Sequence, residues 1–188
     1  MKVLFIGNSH TYFNDMPGIF QSLCREQGVD AHVTMLCKGG MGLDWHMQEP
    51  QTRFNILYGR YDYVVLQHTA HSMGDFDKMR AGAEALVKWA KEAGSTPVFY
   101  QTWARKGDES FQPFMSGVYE LLGRELRCPV APVGNVWQQH RLAHPDEELY
   151  FQDGEHASPA GSTLAARVIL ETILGLSAPD PDKGHDAP

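Results

Sequence analysis

The sequence predicts a three-layer α/β/α fold built on a five-stranded parallel sheet. Three observations predict it. Short apolar runs alternate along the chain with longer segments whose apolar residues recur at helical spacing. The short runs are apolar on successive residues, as strands are when both faces are covered. Glycine, proline and aspartate punctuate the boundaries. Such alternation places helices on both faces of a parallel sheet, and right-handed crossovers favour that arrangement over a barrel or sandwich. A length of 188 residues, 43% of them hydrophobic and 21% charged, suits one domain with a core able to hold a site.

Val3 to Ile6 reads as the first strand. Pro17 lies near the start of a helical segment in which Ile19, Phe20, Leu23 and Cys24 share a face, with Gly28 as its stop. Ala31 to Leu36 is the second strand, and Gly39, Gly40 and Gly42 mark the loop after it. Tyr63-Val64-Val65-Leu66 is the clearest central strand. Phe76, Met79, Ala83, Leu86, Val87 and Ala90 then follow at helical spacing, capped by Asp75 and stopped by Gly94. Pro97 to Tyr100 is the fourth strand. Phe111, Met115, Val118 and Leu122 form another helical face. Pro129 to Val133 is a short fifth strand, its prolines suited to an edge. In the last helix Ser158 caps, Pro159 fits the first turn and Gly175 ends the run. The expected domain covers residues 1–177. Residues 178–188 lack apolar anchors and read as a disordered tail.

The formal net charge of −7 and the lack of a Lys/Arg run argue against nucleic acid or an anionic membrane as a partner. No segment approaches the ~20 apolar residues of a membrane helix. The opening run is too short for a signal-peptide core. Cys24, Cys37 and Cys128 are widely spaced and odd in number, which suits buried thiols in a reducing compartment. A cytoplasmic protein is expected.

In open parallel sheets, ligand chemistry sits at the carboxyl ends of the strands. The loop after the first strand reads Gly7-Asn8-Ser9-His10-Thr11. A serine here can present its hydroxyl from a tight turn, although a helix cap or an ordinary loop serine fits equally. No GxSxG elbow is present, so an α/β-hydrolase fold is not supported. Near the other end stands Asp153-Gly154-Glu155-His156. An aspartate three residues before a histidine can hold the imidazole Nδ1–H and leave Nε2 to take a proton from a serine. A capping aspartate beside a surface histidine is the plainer alternative. A metal pair lacks a third ligand at clear spacing.

Together the two blocks resemble the SGNH (GDSL-type) hydrolase superfamily, whose fold is flavodoxin-like. Val3 through Ser9 matches its first block and Asp153 to His156 its last, so the resemblance spans residues 3 to about 175. Leu66-Gln67 and Thr102-Trp103 further resemble a Gly-Asn-Ser branch related to carbohydrate esterases. The resemblance implies Ser9 as nucleophile, with His156 and Asp153 completing a triad. It implies an oxyanion hole from the N–H groups of Ser9 and Gly40 and a side chain after the third strand. The usual Gly-x-Asn is missing there; Gln67 is the expected donor, with His71 closer to the usual spacing. His10, His46, His71 and Trp103 are candidates to line the pocket.

The expected function is hydrolysis of a small acyl ester, an O-acetylated carbohydrate among the substrates, through an acyl-enzyme and without metal or other cofactor. A thioester or short lipid ester is the nearest alternative substrate. A different class of protein, a non-catalytic flavodoxin-like module holding a phosphate on the glycine loop, would lack a P-loop Lys-Ser or Lys-Thr and leave the Asp-x-x-His block unused.

Overall fold

The computed structural model describes residues 1–71 and 73–175. Five strands, β1 Lys2–Gly7, β2 His32–Cys37, β3 Tyr63–Leu66, β4 Thr96–Tyr100 and β5 Val130–Ala131, form one parallel sheet in the order β2-β1-β3-β4-β5. The helices are α1 Ser9–Tyr12, α2 Met16–Glu26, α3 Leu43–His46, α4 Pro50–Tyr58, α5 Phe76–Glu92, α6 Gln112–Leu126, α7 Val133–Ala143 and α8 Pro159–Leu174. The expected tail, residues 178–188, lies outside the described residues.

The continuous apolar runs have a direct cause. Along β1, Val3 and Phe5 pack with α2, α7 and α8, while Leu4 and Ile6 pack with α3, α4, α5 and α6. Each side chain is fully buried, on one face or the other. Burying a residue of this size stabilises by about 1.5–3 kcal/mol, so neither face of the sheet can carry polar residues cheaply.

The expected caps form. Asp75 accepts from the N–H groups of Asp77 and Lys78 at the start of α5. Ser158 Oγ accepts from Gly161 N–H at the start of α8, and Gly175 closes that helix at φ 66°. Two expectations need correction. The fifth strand is only two residues long, because Pro132 lacks an N–H for the ladder and instead precedes α7. Four helices, α1, α3, α4 and α7, form where the sequence predicts none, and α3 matters for the site because it follows the glycine loop directly.

Among the described residues, no helix is long and apolar enough to cross a membrane. All three cysteines are free; Cys24 and Cys128 are buried and Cys37 is half-buried.

Candidate active site

The carboxyl end of β1 is built to hold a rigid turn. A side chain at Gly7 would approach Gln67 Oε1 to 2.4 Å and Thr11 Oγ1 to 2.6 Å, so only glycine fits. His46, buried on α3, donates from Nε2 to the Gly7 carbonyl at 2.8 Å. Asn8 caps α1 by accepting from His10 N–H at 3.1 Å. Ser9 is therefore the first residue of a helical turn, half-buried, with its hydroxyl facing the loop that precedes α8.

That second loop is held at several points. Asp153 Oδ1 accepts from the backbone N–H groups of Glu155 and His156, both at 2.9 Å. Tyr150 and Ala157 form an isolated antiparallel bridge. Asn14, in left-handed backbone at φ 53°, donates to the Ala157 carbonyl at 2.9 Å. Trp103 Nε1 donates to the Glu155 carbonyl at 2.9 Å.

These supports bring Ser9, His156 and Asp153 together. His156 Nε2 lies 2.7 Å from Ser9 Oγ, and His156 Nδ1 lies 2.7 Å from Asp153 Oδ2. An ionised carboxylate can only accept, so the proton sits on Nδ1 and Nε2 is left to accept from the serine hydroxyl. Partial desolvation raises the Asp153 pKa, but the hydrogen bonds from the His156 ring and the two backbone N–H groups outweigh it and hold the carboxyl at about 2. The imidazole is clamped on both faces: Phe13 stacks on it at 4.4 Å and His10 at 5.0 Å between ring centroids.

The other expected residues divide. His10 is buried and packs against His71 at 5.0 Å and Trp103 at 5.4 Å. Burial, reinforced by the neighbouring His71 and His156, lowers its pKa to about 3, so it is neutral. Trp103 is fully buried and stacks on Trp137 at 3.9 Å. It supports the loop of His156 from below and does not line an open pocket, contrary to expectation. His46 likewise acts beneath the site, on Gly7.

Gln67 requires a correction. Its side chain is fully buried. Its Oε1 accepts from Asn8 N–H at 2.8 Å and from Thr11 Oγ at 2.9 Å, while Nε2 donates to the His68 carbonyl. A backbone N–H can only donate, which fixes the amide orientation: Oε1 faces the Asn8 turn and one of the two Nε2 hydrogens is taken by the His68 carbonyl. Gln67 thus ties β3 to the nucleophile turn. In contrast, Nε2 of His71, on the loop after β3, is buried without a hydrogen-bond partner among the described residues.

Gly40 adopts φ +74°, a conformation that suits glycine. Neither its N–H nor that of Ser9 has a partner among the described residues. The end of the glycine loop is seated by His68. That ring accepts from Leu43 N–H on Nδ1 at 3.0 Å and donates from Nε2 to the Met73 carbonyl at 3.0 Å. A Cβ on Gly42 would fall 2.4 Å from the His68 ring.

Phe13, Asn14, His68 and Glu155 were not singled out from sequence. Glu155 bridges outward, 3.3 Å from Arg105 Nε and 4.0 Å from His71 Nε2. Among the described residues no group of three His, Cys, Asp or Glu side chains is placed to hold a metal ion.

A hydroxyl, an imidazole and a carboxylate in series, at the carboxyl end of a parallel sheet in the order β2-β1-β3-β4-β5, define a class: the serine hydrolases of flavodoxin-like architecture. Solved structures agree. A candidate SGNH hydrolase from Slackia heliotrinireducens is 28% identical, with a TM-score of 0.78 over 92% of this chain and 98% of that one. A DUF4886-family protein from Bacteroides uniformis is 18% identical, with a TM-score of 0.76 over 98% of this chain and 88% of that one. A lipase/acylhydrolase from Enterococcus faecalis shares the fold at 17% identity, with a TM-score of 0.72 over 95% of this chain and 98% of that one. No protein-family model matches the sequence, and no curated protein matches it in sequence. The chain is thus similar in fold, and at 28% identity in sequence, to an SGNH hydrolase.

Proposed function

We propose that the protein is a serine esterase that removes a small acyl group, such as acetyl, from a carbohydrate ester. The observation that carries the reading is the continuous relay from Asp153 through His156 to Ser9, with both links at 2.7 Å. Ser9 Oγ attacks the ester carbonyl while His156 Nε2 takes its proton. The tetrahedral intermediate collapses, His156 returns the proton to the departing alcohol, and an acyl-Ser9 ester remains. Water, deprotonated by His156, then releases the acid.

The negative charge on the carbonyl oxygen needs fixed donors. We assign the Ser9 and Gly40 N–H groups to it, with His71 as the side-chain donor, since its Nε2 has no partner among the described residues while the Gln67 amide is held by Asn8, Thr11 and His68. Neutrality of His71 suits this role: burial lowers its pKa, the Glu155 carboxylate opposing that effect. The small acyl group is read from the rings at His156: Phe13 and His10 stack on it, and His71 packs against His10. The carbohydrate part of the reading comes from the resemblance of the Gly-Asn-Ser, Leu-Gln and Thr-Trp blocks.

A series of p-nitrophenyl esters of increasing chain length, assayed beside an O-acetylated sugar, tests the reading. Acetyl and propionyl esters should be cleaved, and octanoyl esters should be slower by at least tenfold. A preference for long chains would contradict the small-acyl assignment. Failure to cleave any ester would overturn the esterase reading.

A further inference from the structure

A cavity of about 360 Å3 opens against the glycine loop, inside the range of about 300–1,000 Å3 typical of small-molecule sites. It is lined by Gly40, Met41 and Gly42 from the glycine loop, by Trp45 and Gln48, and by Thr69, Gly74, Asp75 and Lys78. The triad uses none of these side chains. Yet the cavity is joined to the nucleophile: Asn8, immediately before Ser9, donates from Nδ2 to the Met41 carbonyl at 3.1 Å. Gly40, assigned above to the oxyanion, lies on its rim. An ester held with its carbonyl oxygen at Gly40 has this cavity beside it for one of its two arms.

The chemistry of the wall tells the arms apart. Trp45 is half-buried and lines the cavity with its indole. The same cavity is lined by carboxylates at Asp44 and Asp75, an amide at Gln48, a hydroxyl at Thr69 and an ammonium at Lys78. Asp75 Oδ1 is taken by the backbone of α5, and the Gln48 nitrogen by the Asp44 carbonyl. Asp75 Oδ2 and Gln48 Oε1 remain as acceptors. The floor is the His68 ring, whose two nitrogens are both bonded internally and whose burial keeps it neutral. An aromatic face ringed by donors and acceptors fits a molecule with one apolar face and several hydroxyls. Two carboxylates against one ammonium in the wall disfavour an anion. A fatty acyl chain would leave these groups desolvated and unpaired.

We propose that this cavity is the subsite for the alcohol arm of the ester, and that the alcohol is an uncharged monosaccharide unit stacked on Trp45. The proposal rests on the esterase reading and adds to it the location and class of the leaving group. It also sets the orientation of the substrate: acyl group toward His10 and His71, sugar toward Trp45.

The test compares two acetyl esters, p-nitrophenyl acetate and a mono-O-acetylated monosaccharide, on the wild type, Trp45→Ala, Trp45→Phe and Gln48→Ala. Trp45→Ala should raise KM for the sugar ester at least tenfold, and Trp45→Phe should recover most of it. The exposed Gln48→Ala should raise it severalfold. Values of kcat/KM for p-nitrophenyl acetate should stay within twofold in all three variants. Equal losses on both esters, or no change on the sugar ester, would overturn the subsite. Wild-type cleavage of p-nitrophenyl acetate without cleavage of the sugar ester would overturn the subsite and leave the esterase reading standing. Cleavage of neither would remove both.

Discussion

In the proposed mechanism Ser9, His156 and Asp153 share one task, and their contributions should not add. Ser9→Ala and His156→Ala should each remove nearly all ester hydrolysis, and the double variant should be little worse than either. Around them, support and chemistry separate cleanly. Gln67 holds Asn8 N–H and Thr11 Oγ in a fully buried place. Gln67→Ala should therefore lower stability by about 1–3 kcal/mol for a stranded buried group, seen as a lower Tm, together with lost activity. His71→Ala should leave Tm nearly unchanged, lowering kcat by roughly 10²–10³ with KM little altered, the signature of a lost oxyanion donor. A stable, slow Gln67→Ala beside an active His71→Ala would restore the donor to Gln67. The three triad residues were legible because each lies in a short block with its own local geometry. The role of Gln67 was not. An amide at the end of a strand can point up to a substrate or sideways to the neighbouring turn, and only the position of Asn8 across the sheet decides.

At the scale of elements, the glycine loop is set by α3, and α3 is set by α5. A Cβ on Gly82, in the middle of α5, would come within 2.4–2.7 Å of the backbone of Leu43 and Asp44. The two helices therefore touch backbone to backbone, and the contact can give only by moving α3. Gly82→Ala should cost about 1–3 kcal/mol by overpacking, measured by denaturant unfolding, although alanine is the better helix former. It should also lower kcat, because α3 carries both the end of the glycine loop and His46. A variant more stable than the wild type would show that α5 does not buttress the loop. The strands, the long helices and their caps were legible from periodicity and punctuation. The four-residue α3 is shorter than any period can reveal, and α7 begins straight after Pro132, where the apolar run looked like more strand.

The whole molecule gathers several neutral histidines beneath one rim. His10, His46, His68 and His71 all have lowered pKa values, with burial the largest cause in each case. The unfolded chain takes up protons near pH 6.5 that the folded chain refuses. Stability is thus fully present above that pH and falls as the pH drops, until the folded-state pKa is reached, about 3 for His10. His10 alone contributes a loss of roughly 2 kcal/mol between pH 6.5 and pH 5. Asp153 acts in the same direction, lower on the pH scale. Its folded pKa of about 2 preserves its contribution down to the ordinary carboxylate range. Tm should fall steadily from pH 7 to pH 5, and His10→Phe should flatten part of that slope. A Tm independent of pH over this interval would contradict the buried, neutral assignment.

The claim on which the rest depends is that Ser9 is a nucleophile activated by His156. Its most direct measurement is covalent: intact-protein mass spectrometry after treatment with a fluorophosphonate, on the wild type, Ser9→Ala and His156→Ala. The account predicts a single adduct on the wild type, located by peptide mapping to Ser9. It also predicts no adduct on Ser9→Ala and labelling of His156→Ala slowed by orders of magnitude. An adduct on another residue, or a Ser9→Ala protein that labels as fast as the wild type, would contradict it.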